Sequence, residues 1–265
     1  MIDDATYAPV SGAVMYEAMF VVSGSEAVIE RVRGLPLSSS GDVRLEGTEL
    51  KVRVSAVTEV EAKATATRIA ERFCDALSLW TGEHFSAQYS QLLKRPGEPG
   101  ERLVESVMPD TWRIVTFRPE NLAADVQRAL DTSLPEDDIL SKAGAYFRHA
   151  LFLHQEAWRY VVPGSFHWGL LIAGAFLHYY KAVSIIVGEP GTDRDHQSRY
   201  RRFGISHELW LETEQIRKLR NAADVAHYTP DLTALERVRA NIEFAKSTAS
   251  KVVGAYANHV VDGGG

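Results

Sequence analysis

The segment from Ser165 to Val187 constrains the fold most strongly, because it is apolar on nearly every side of a helix. Turn-forming residues bound it on both sides, with Pro163-Gly164 before it and Glu189-Pro190-Gly191 after it. Such a helix needs packing partners all round, so we expect it at the centre of a helical unit. No uninterrupted apolar run in the chain reaches the ~18–20 residues that a membrane span needs, and no membrane partner is expected.

Other segments with helical periodicity lie on both sides of this central helix. They cover Ile139–Val161, Ile205–His227 and Leu232–Val261. Four helices joined by short connections predict an antiparallel bundle over residues 138–262.

The first half of the chain predicts a mixed α/β domain over residues 1–130. Apolar and basic residues alternate from Leu50 to Val54, as in a strand with one solvated face. Apolar residues then recur every three or four positions from Val60 to Trp80, which predicts a helix ending at Gly82. Strands are expected over Ala13–Val22, Glu49–Val57, Phe85–Leu93 and Leu103–Phe117. The predicted fold class is α+β, with a domain boundary in the linker at residues 131–138.

Composition narrows the class of protein further. The 265 residues are 45% apolar and 24% charged, which is typical of a globular protein and excludes a fibrous or disordered chain. The single cysteine, Cys74, excludes an intramolecular disulfide and a multi-cysteine zinc site. Residues 1–25 lack the basic start of a secretory signal, so a cytoplasmic location is expected.

The net charge of −6 is unevenly distributed along the chain. From Asp138 onward there are 15 basic and 13 acidic residues, against 14 basic and 22 acidic residues before it. A polyanion would therefore meet the C-terminal half more favourably, although the excess of basic residues there is small.

One stripe of the third bundle helix carries the residues that could perform chemistry. Arg220 and His227 are seven positions apart, which places them about 20° apart around a helix, and Asp224 lies between them. Asn221 adds an amide beside Arg220. The alternative is an ordinary solvated helix face whose ion pair contributes under ~1 kcal/mol.

Such a set suits cleavage of RNA by its own 2′-hydroxyl. A histidine titrates near neutral pH and can serve as base or acid. An arginine offers a planar fork that matches two phosphate oxygens. Because the ribose supplies the nucleophile, the reaction requires no metal, and no cofactor is expected. A two-fold dimer would bring two such stripes into one composite site.

Six residues separate Arg220 of the segment Leu219-Arg220-Asn221 from His227. This pattern resembles the motif of the HEPN superfamily. The segment Phe176–Ile186 is also similar to the central helix of the Apea-like HEPN group, although Ser184 stands where those proteins often have glutamate. The resemblance covers about residues 138–262, and for residues 1–137 it implies only that an extra α/β domain often precedes the bundle.

The resemblance implies a metal-independent endoribonuclease that acts as a homodimer, in toxin–antitoxin or anti-phage systems, with an antitoxin or regulatory protein as a possible partner. Arg220 would contact the scissile phosphate, His227 would be base or acid, and Asn221 would orient Arg220 or bind phosphate. Asp224 is included from geometry alone, either orienting His227 or pairing with Arg220 or Arg217. Some members of the superfamily are inactive, so the competing class is a non-catalytic module that binds nucleotides, dimerises or binds another protein.

Arginines around the motif helix are the predicted RNA contacts. They are Arg194, Arg199, Arg201, Arg202 and Arg217. Tyr200 and Phe203 lie among them, and arginines interleaved with aromatic residues can hold phosphates and stack bases. The alternative is a solvated loop partly neutralised by Asp193 and Asp195.

The histidines do not predict a metal site. His149 and His154 are about 140° apart on their helix, and His167 and His178 are expected to be core residues of the apolar helix. A third hypothesis assigns residues 1–137 to sensing a ligand or partner and restraining the bundle.

Overall fold

The chain forms two compact units, and each is treated by itself. One unit holds residues 1–71 and 86–115, and the other holds residues 72–85 and 116–265. The computed structural model describes residues 12–33, 37, 42–107, 113–114, 127, 129, 137–160, 165–188, 198, 200–222 and 232–262.

The first unit is built on an antiparallel sheet. Its strands are β1 (Val14–Ser25), β2 (Val43–Glu46), β3 (Glu49–Ala56), β4 (Ser86–Lys94) and β5 (Arg102–Ser106). They lie in the order β2-β3-β1-β4-β5, and β6 (Arg113–Ile114) pairs in parallel with the end of β1. Residues alternate between a buried and a more exposed face along β3, which confirms the alternation seen in the sequence. Helix α1 (Glu26–Val32) follows β1 directly and was not predicted.

Helix α2 (Glu59–Thr81) belongs to both compact units. It ends where the sequence predicted, because Gly82 adopts a φ of +68° and its N–H donates to the carbonyl of Ser78 at 3.0 Å. Its second half, from Arg72 onward, packs in the helical unit, so the core of that unit begins well before the predicted linker. The boundary at residues 131–138 stays a prediction, since most of that linker lies outside the described residues.

The second unit is helical. Its long elements are α3 (Asp138–Tyr160), α4 (Phe166–Val187), α5 (His207–Ala222), α6 (Leu232–Ala240) and α7 (Ile242–Val261). Helix α4 is the centre of the unit, with Ile172, Phe176 and Tyr179 fully buried. The hydroxyl of Ser165 caps its start by accepting from the N–H of Trp168 at 3.1 Å. The chain is therefore α+β, as its sequence predicts.

The last predicted helix is divided in two. Residues 232–261 show continuous helical periodicity, yet the helix breaks at Asn241, whose φ of −116° and ψ of 9° are not helical. The side-chain amide of Asn241 donates to the carbonyl of Arg237 at 2.8 Å, which satisfies a backbone group at the end of α6. A single long helix was therefore the wrong expectation for this segment.

One helix among the described residues is long and apolar enough to cross a membrane, over residues 167–187. Its apolar residues are interrupted by His178, Lys181 and Ser184, so the uninterrupted run stays short although the mean hydropathy of the whole helix is high. Of the most apolar stretch of this helix, 56% is buried inside the structure. Such burial is typical of the core helix of a helical unit.

Candidate functional site

Arg220 and Asn221 lie in the last turn of helix α5 that the structure describes. Asp224 and His227 lie outside the described residues, as do Arg194 and Arg199. The convergence of Arg220 and His227 therefore stays a prediction. The site is described below from the residues of α5 up to Ala222 and from their neighbours.

The Arg220 guanidinium contacts both an aromatic ring and a neighbouring amide. Its Cζ lies 4.4 Å from the centroid of the Tyr180 ring, and its Nε donates to the Oδ1 of Asn221 at 3.1 Å. Tyr180 comes from the central helix α4 and is 5% exposed, so the ring is a rigid support. A cation so placed over an aromatic face is stabilised by about 0.5–2 kcal/mol. This arrangement sets the position of a guanidinium, a group suited to binding an anion.

Arg217 lies one turn before Arg220 and is paired with a carboxylate. Its Nε and Nη2 donate to the Oε2 of Glu214 at 3.0 and 2.7 Å. Both side chains are largely buried, with 30% of Arg217 and 19% of Glu214 exposed. The predicted phosphate contact of Arg217 is thus offset by a neighbouring negative charge, whereas Glu214 was not predicted as a functional residue.

A shallow depression with room for about one water molecule lies between helices α4 and α5. It is lined by Tyr180, Val183, Ser184, Val187, Gly188, Tyr200, Thr213, Glu214 and Arg217. Tyr180 lines this depression and also contacts Arg220.

The arginine-rich segment before α5 divides into exposed and buried residues. Arg201 and Arg202 are exposed and remain available to a polyanion. Tyr200, in contrast, is 3% exposed, and its hydroxyl hydrogen-bonds that of Thr213 at 2.6 Å. Burial raises the pKa of Tyr200 to about 12. The expectation that Tyr200 stacks bases was therefore wrong, because its ring belongs to the core.

Phe203 also packs inward. Its ring lies 4.9 Å from that of Tyr256 and 5.4 Å from that of His259, both on α7. It is only partly exposed, so it anchors the arginine-rich segment to the bundle rather than offering an open stacking surface.

The histidines of the helical unit differ from expectation in one case. His167 is exposed at the start of α4, so its assignment to the core was wrong. His178 is half-buried, and its Nδ1 donates to the carbonyl of Gly174 at 2.8 Å. Its ring lies 4.6 Å from that of His149. His154 is buried beside Tyr179 and Glu243.

No cluster of three or more His, Cys, Asp or Glu side chains able to hold a metal ion occurs within the described part of the chain. Cys74 is fully buried, where a free cysteine packs as a small apolar side chain.

Two residues of this site were not predicted from the sequence. Tyr180 lies forty positions before Arg220, and nothing in the spacing of either predicts their contact. Glu214 does carry a signal, because it lies three positions before Arg217 and six before Arg220 on the same helix. An acidic residue among basic ones is equally typical of a solvated helix face.

Comparison with known proteins adds no family to this picture. The chain matches no protein-family model, no curated protein and no solved structure.

Proposed function

We propose that this chain is a metal-independent endoribonuclease of HEPN type, with a HEPN-like bundle over residues 138–262. The observation that carries the proposal is the Arg220 guanidinium, which is supported on the ring of Tyr180 and hydrogen-bonded to Asn221, seven positions before His227 in the sequence. An anion-binding group whose position is set before substrate arrives is what phosphoryl-transfer chemistry requires.

In the proposed reaction, His227 removes the proton of the ribose 2′-hydroxyl, and the 2′-oxygen attacks the adjacent phosphorus. Arg220 neutralises the charge that accumulates on the phosphate oxygens. The bond to the 5′-oxygen breaks, and that oxygen takes a proton from a protonated histidine, so the products are a 2′,3′-cyclic phosphate and a 5′-hydroxyl. Asn221 positions Arg220, and Asp224 orients His227.

The partners follow from the same proposal. RNA is the substrate, and the exposed Arg201 and Arg202 contact its backbone together with Arg194 and Arg199. A homodimer supplies a second histidine, so that one serves as base and the other as acid. The setting is a cytoplasmic toxin–antitoxin or anti-phage system, in which an antitoxin or regulatory protein restrains the enzyme.

A second candidate function is a non-catalytic interaction module. The observation that favours it is exposed apolar surface on the helical unit, where Trp158 is 52% exposed and Leu211 is 51% exposed. Large apolar side chains in contact with solvent are enriched where another protein binds. In that case Arg220 and its neighbours on α5 only help to position the helices of the bundle.

The test incubates purified protein with single-stranded RNA in excess EDTA. We expect the wild-type chain to cleave the RNA, and Arg220→Ala and His227→Ala each to lower the rate by about a hundredfold or more. The ends of the products are then mapped, and cyclic phosphates are expected.

Two matched substitutions serve as controls. His207→Ala removes an exposed histidine from the other end of α5, and Arg237→Ala removes an exposed arginine from α6. Both should cleave at the wild-type rate. Loss of cleavage in EDTA, or equal rates in all five proteins, would contradict the ribonuclease and leave the interaction module as the better account.

A further inference from the structure

Two histidines on neighbouring helices of the helical unit meet at its surface. His149 lies on α3 and His178 on α4, and the centres of their rings are 4.6 Å apart, with an angle of 60° between the ring planes. His149 is exposed and His178 is partly exposed, so an ion can reach the pair from solvent. The proposed ribonuclease reaction uses neither residue.

The ring of His178 is held in the form that binds metal ions. Its Nδ1 lies 2.8 Å from the carbonyl oxygen of Gly174, one helical turn earlier. A carbonyl oxygen only accepts hydrogen bonds, so Nδ1 carries the proton and Nε2 keeps a free lone pair. Histidines that bind metals usually donate their other ring N–H to a carboxylate or a backbone carbonyl in this way, which fixes the orientation of the ring.

The spacing of the two rings fits two neighbouring positions on one metal ion. A metal–imidazole bond of about 2.0–2.1 Å places the centre of each ring about 3.2 Å from the metal. Two such rings at right angles around the ion have centres about 4.5 Å apart, and at the tetrahedral angle about 5.2 Å. The observed 4.6 Å matches the right angle. The alternative, an edge-to-face contact between two rings without an ion, has a similar spacing and predicts no metal binding.

The surroundings select the kind of ion. No Asp or Glu among the described residues joins the pair to form a group of three, so Mg²⁺ and Ca²⁺ lack the oxygen ligands they need. The charge nearby does not attract a cation, because Arg148 is paired with Asp75 and Lys181 lies over the ring of Tyr146. Binding must therefore come from the bonds to nitrogen, which are strongest for the late first-row ions. Among these, Ni²⁺ and Cu²⁺ adopt right-angled geometries.

We propose that His149 and His178 bind one Ni²⁺ or Cu²⁺ ion between helices α3 and α4. Each histidine supplies one ring nitrogen, and water completes the coordination of the ion. The site is independent of the proposed function, since the ion takes no part in the cleavage of RNA.

The first experiment is equilibrium dialysis of the untagged, full-length chain against Ni²⁺ at neutral pH, with the bound metal measured by elemental analysis. We expect one equivalent of Ni²⁺, which excess Mg²⁺ does not displace. His149→Gln and His178→Gln should each weaken binding at least about tenfold. His167→Gln removes an exposed histidine from the start of α4 and is the matched control, which should bind Ni²⁺ as the wild-type chain does. Circular dichroism confirms that the three variants are folded.

A second measurement needs no substitution. The electron paramagnetic resonance spectrum of the wild-type chain with less than one equivalent of Cu²⁺ shows splittings from the nitrogens bound to the ion. We expect splittings from two imidazole nitrogens. A spectrum with one nitrogen or none would contradict the paired site even if the variants failed to fold.

The outcomes separate this site from the ribonuclease. Failure to bind Ni²⁺ would overturn it, and binding that survives both His149→Gln and His178→Gln would show an adventitious ion only and overturn it equally. The ribonuclease assay contains EDTA, which removes any such ion. A chain that cleaves RNA in EDTA and binds no Ni²⁺ keeps the ribonuclease and overturns the metal site. A chain that binds Ni²⁺ through the two histidines and never cleaves RNA keeps the metal site and overturns the ribonuclease.

Discussion

Arg220 lies on the ring of Tyr180, and this contact makes arginine and lysine unequal at that position. We predict that Arg220→Lys lowers RNA cleavage in EDTA at least tenfold although the charge is kept. A lysine lacks the Nε donor that reaches Asn221 and the planar fork that matches two phosphate oxygens. The measurement is the initial rate on a labelled RNA, compared with wild-type and Arg220→Ala.

Two changes at Tyr180 check the reason for this loss. Tyr180→Phe keeps the ring under the guanidinium and should retain most of the activity. Tyr180→Leu removes the ring, and the rate should fall toward that of Arg220→Ala. Wild-type activity in Arg220→Lys would show that charge alone suffices and that the stacked geometry has no role.

His84 makes the helical unit sensitive to acid. Burial, together with Arg148 and His149, lowers the pKa of His84 to about 4 from its ordinary value of 6.5. The unfolded chain therefore takes up a proton at a higher pH than the folded chain, and stability falls as the pH drops from 6.5 toward 4. Between pH 7.5 and pH 5 the free energy of unfolding should fall by about 2 kcal/mol from this residue. Urea denaturation at the two pH values measures it.

The control compares how strongly the free energy of unfolding depends on pH in two variants. His84→Phe should unfold with a pH dependence weaker by about 2 kcal/mol, whereas His167→Gln, at an exposed position, should keep the wild-type dependence. Burial also lowers the pKa values of His149 and His154, so some dependence on pH remains in every variant. An unchanged slope in His84→Phe would contradict the assignment.

At the scale of single residues, sequence spacing predicts neighbours on one helix and little else. It placed Arg217, Arg220 and Asn221 together, and the structure has them on one helix end. It could not predict that Tyr180 supports Arg220, that Tyr200 turns inward to Thr213, or that His149 meets His178. Each of those contacts is made by tertiary packing, which local periodicity does not encode.

At the scale of elements, strong periodic patterns and clear caps were the reliable signals. Helix α4 begins at its Ser165 cap, and α2 ends at Gly82, because both ends depend on local backbone chemistry. The break at Asn241 could not be predicted, since the apolar pattern continues through it and the packing of α6 and α7 decides its place. The strand order was equally inaccessible, because pairing joins residues far apart in the chain.

Trp80 of α2 packs closely against α7 at Gly254. A methyl group added at Gly254 would lie 3.0 and 3.3 Å from two ring carbons of Trp80. We predict that Gly254→Ala destabilises the chain by about 1–3 kcal/mol, because an indole ring is rigid and cannot yield locally. Chemical denaturation of the full-length chain measures the change.

A double-mutant cycle identifies the cause of that destabilisation. In a Trp80→Phe background the smaller ring leaves room for the new methyl group, so Gly254→Ala should cost about 1 kcal/mol less than it does alone. Additive effects of the two substitutions would show that the cost arises from the backbone of α7 and not from the contact with Trp80.

At the scale of the whole molecule, the helical unit depends on residues far before its first complete helix. Leu79 is 3% exposed within the core of that unit, and the Oδ1 of Asp75 lies 2.7 Å from the Nε of Arg148. We predict that a chain limited to residues 131–265 unfolds without a cooperative transition, because it loses both the apolar contact and the partner of a largely buried arginine. Thermal unfolding followed by circular dichroism measures this loss.

A synthetic peptide of residues 59–85 provides the matched rescue. If the missing contacts are the cause, the peptide should restore a cooperative transition, and a peptide with Asp75→Ala and Leu79→Ala should not. A shortened chain that unfolds as sharply as the full-length protein would show that the bundle is self-sufficient. Deletion of residues 1–137 also removes this segment of α2. Loss of activity in that deletion would therefore not by itself show that residues 1–137 sense a ligand or partner.

Helix α2 passes from one compact unit into the other without a break, and this limits how such a protein can be rebuilt. A chimera that replaced the N-terminal unit would carry its seam inside a continuous helix, where inserting or removing a single residue turns every later side chain by 100°. A seam between Arg72 and Trp80 would turn Leu79 and Trp80 relative to Asp75, so their contacts and the Asp75–Arg148 pair could not both be kept. Grafts whose seam falls before Arg72, where the helical unit begins, are the ones we expect to preserve the bundle.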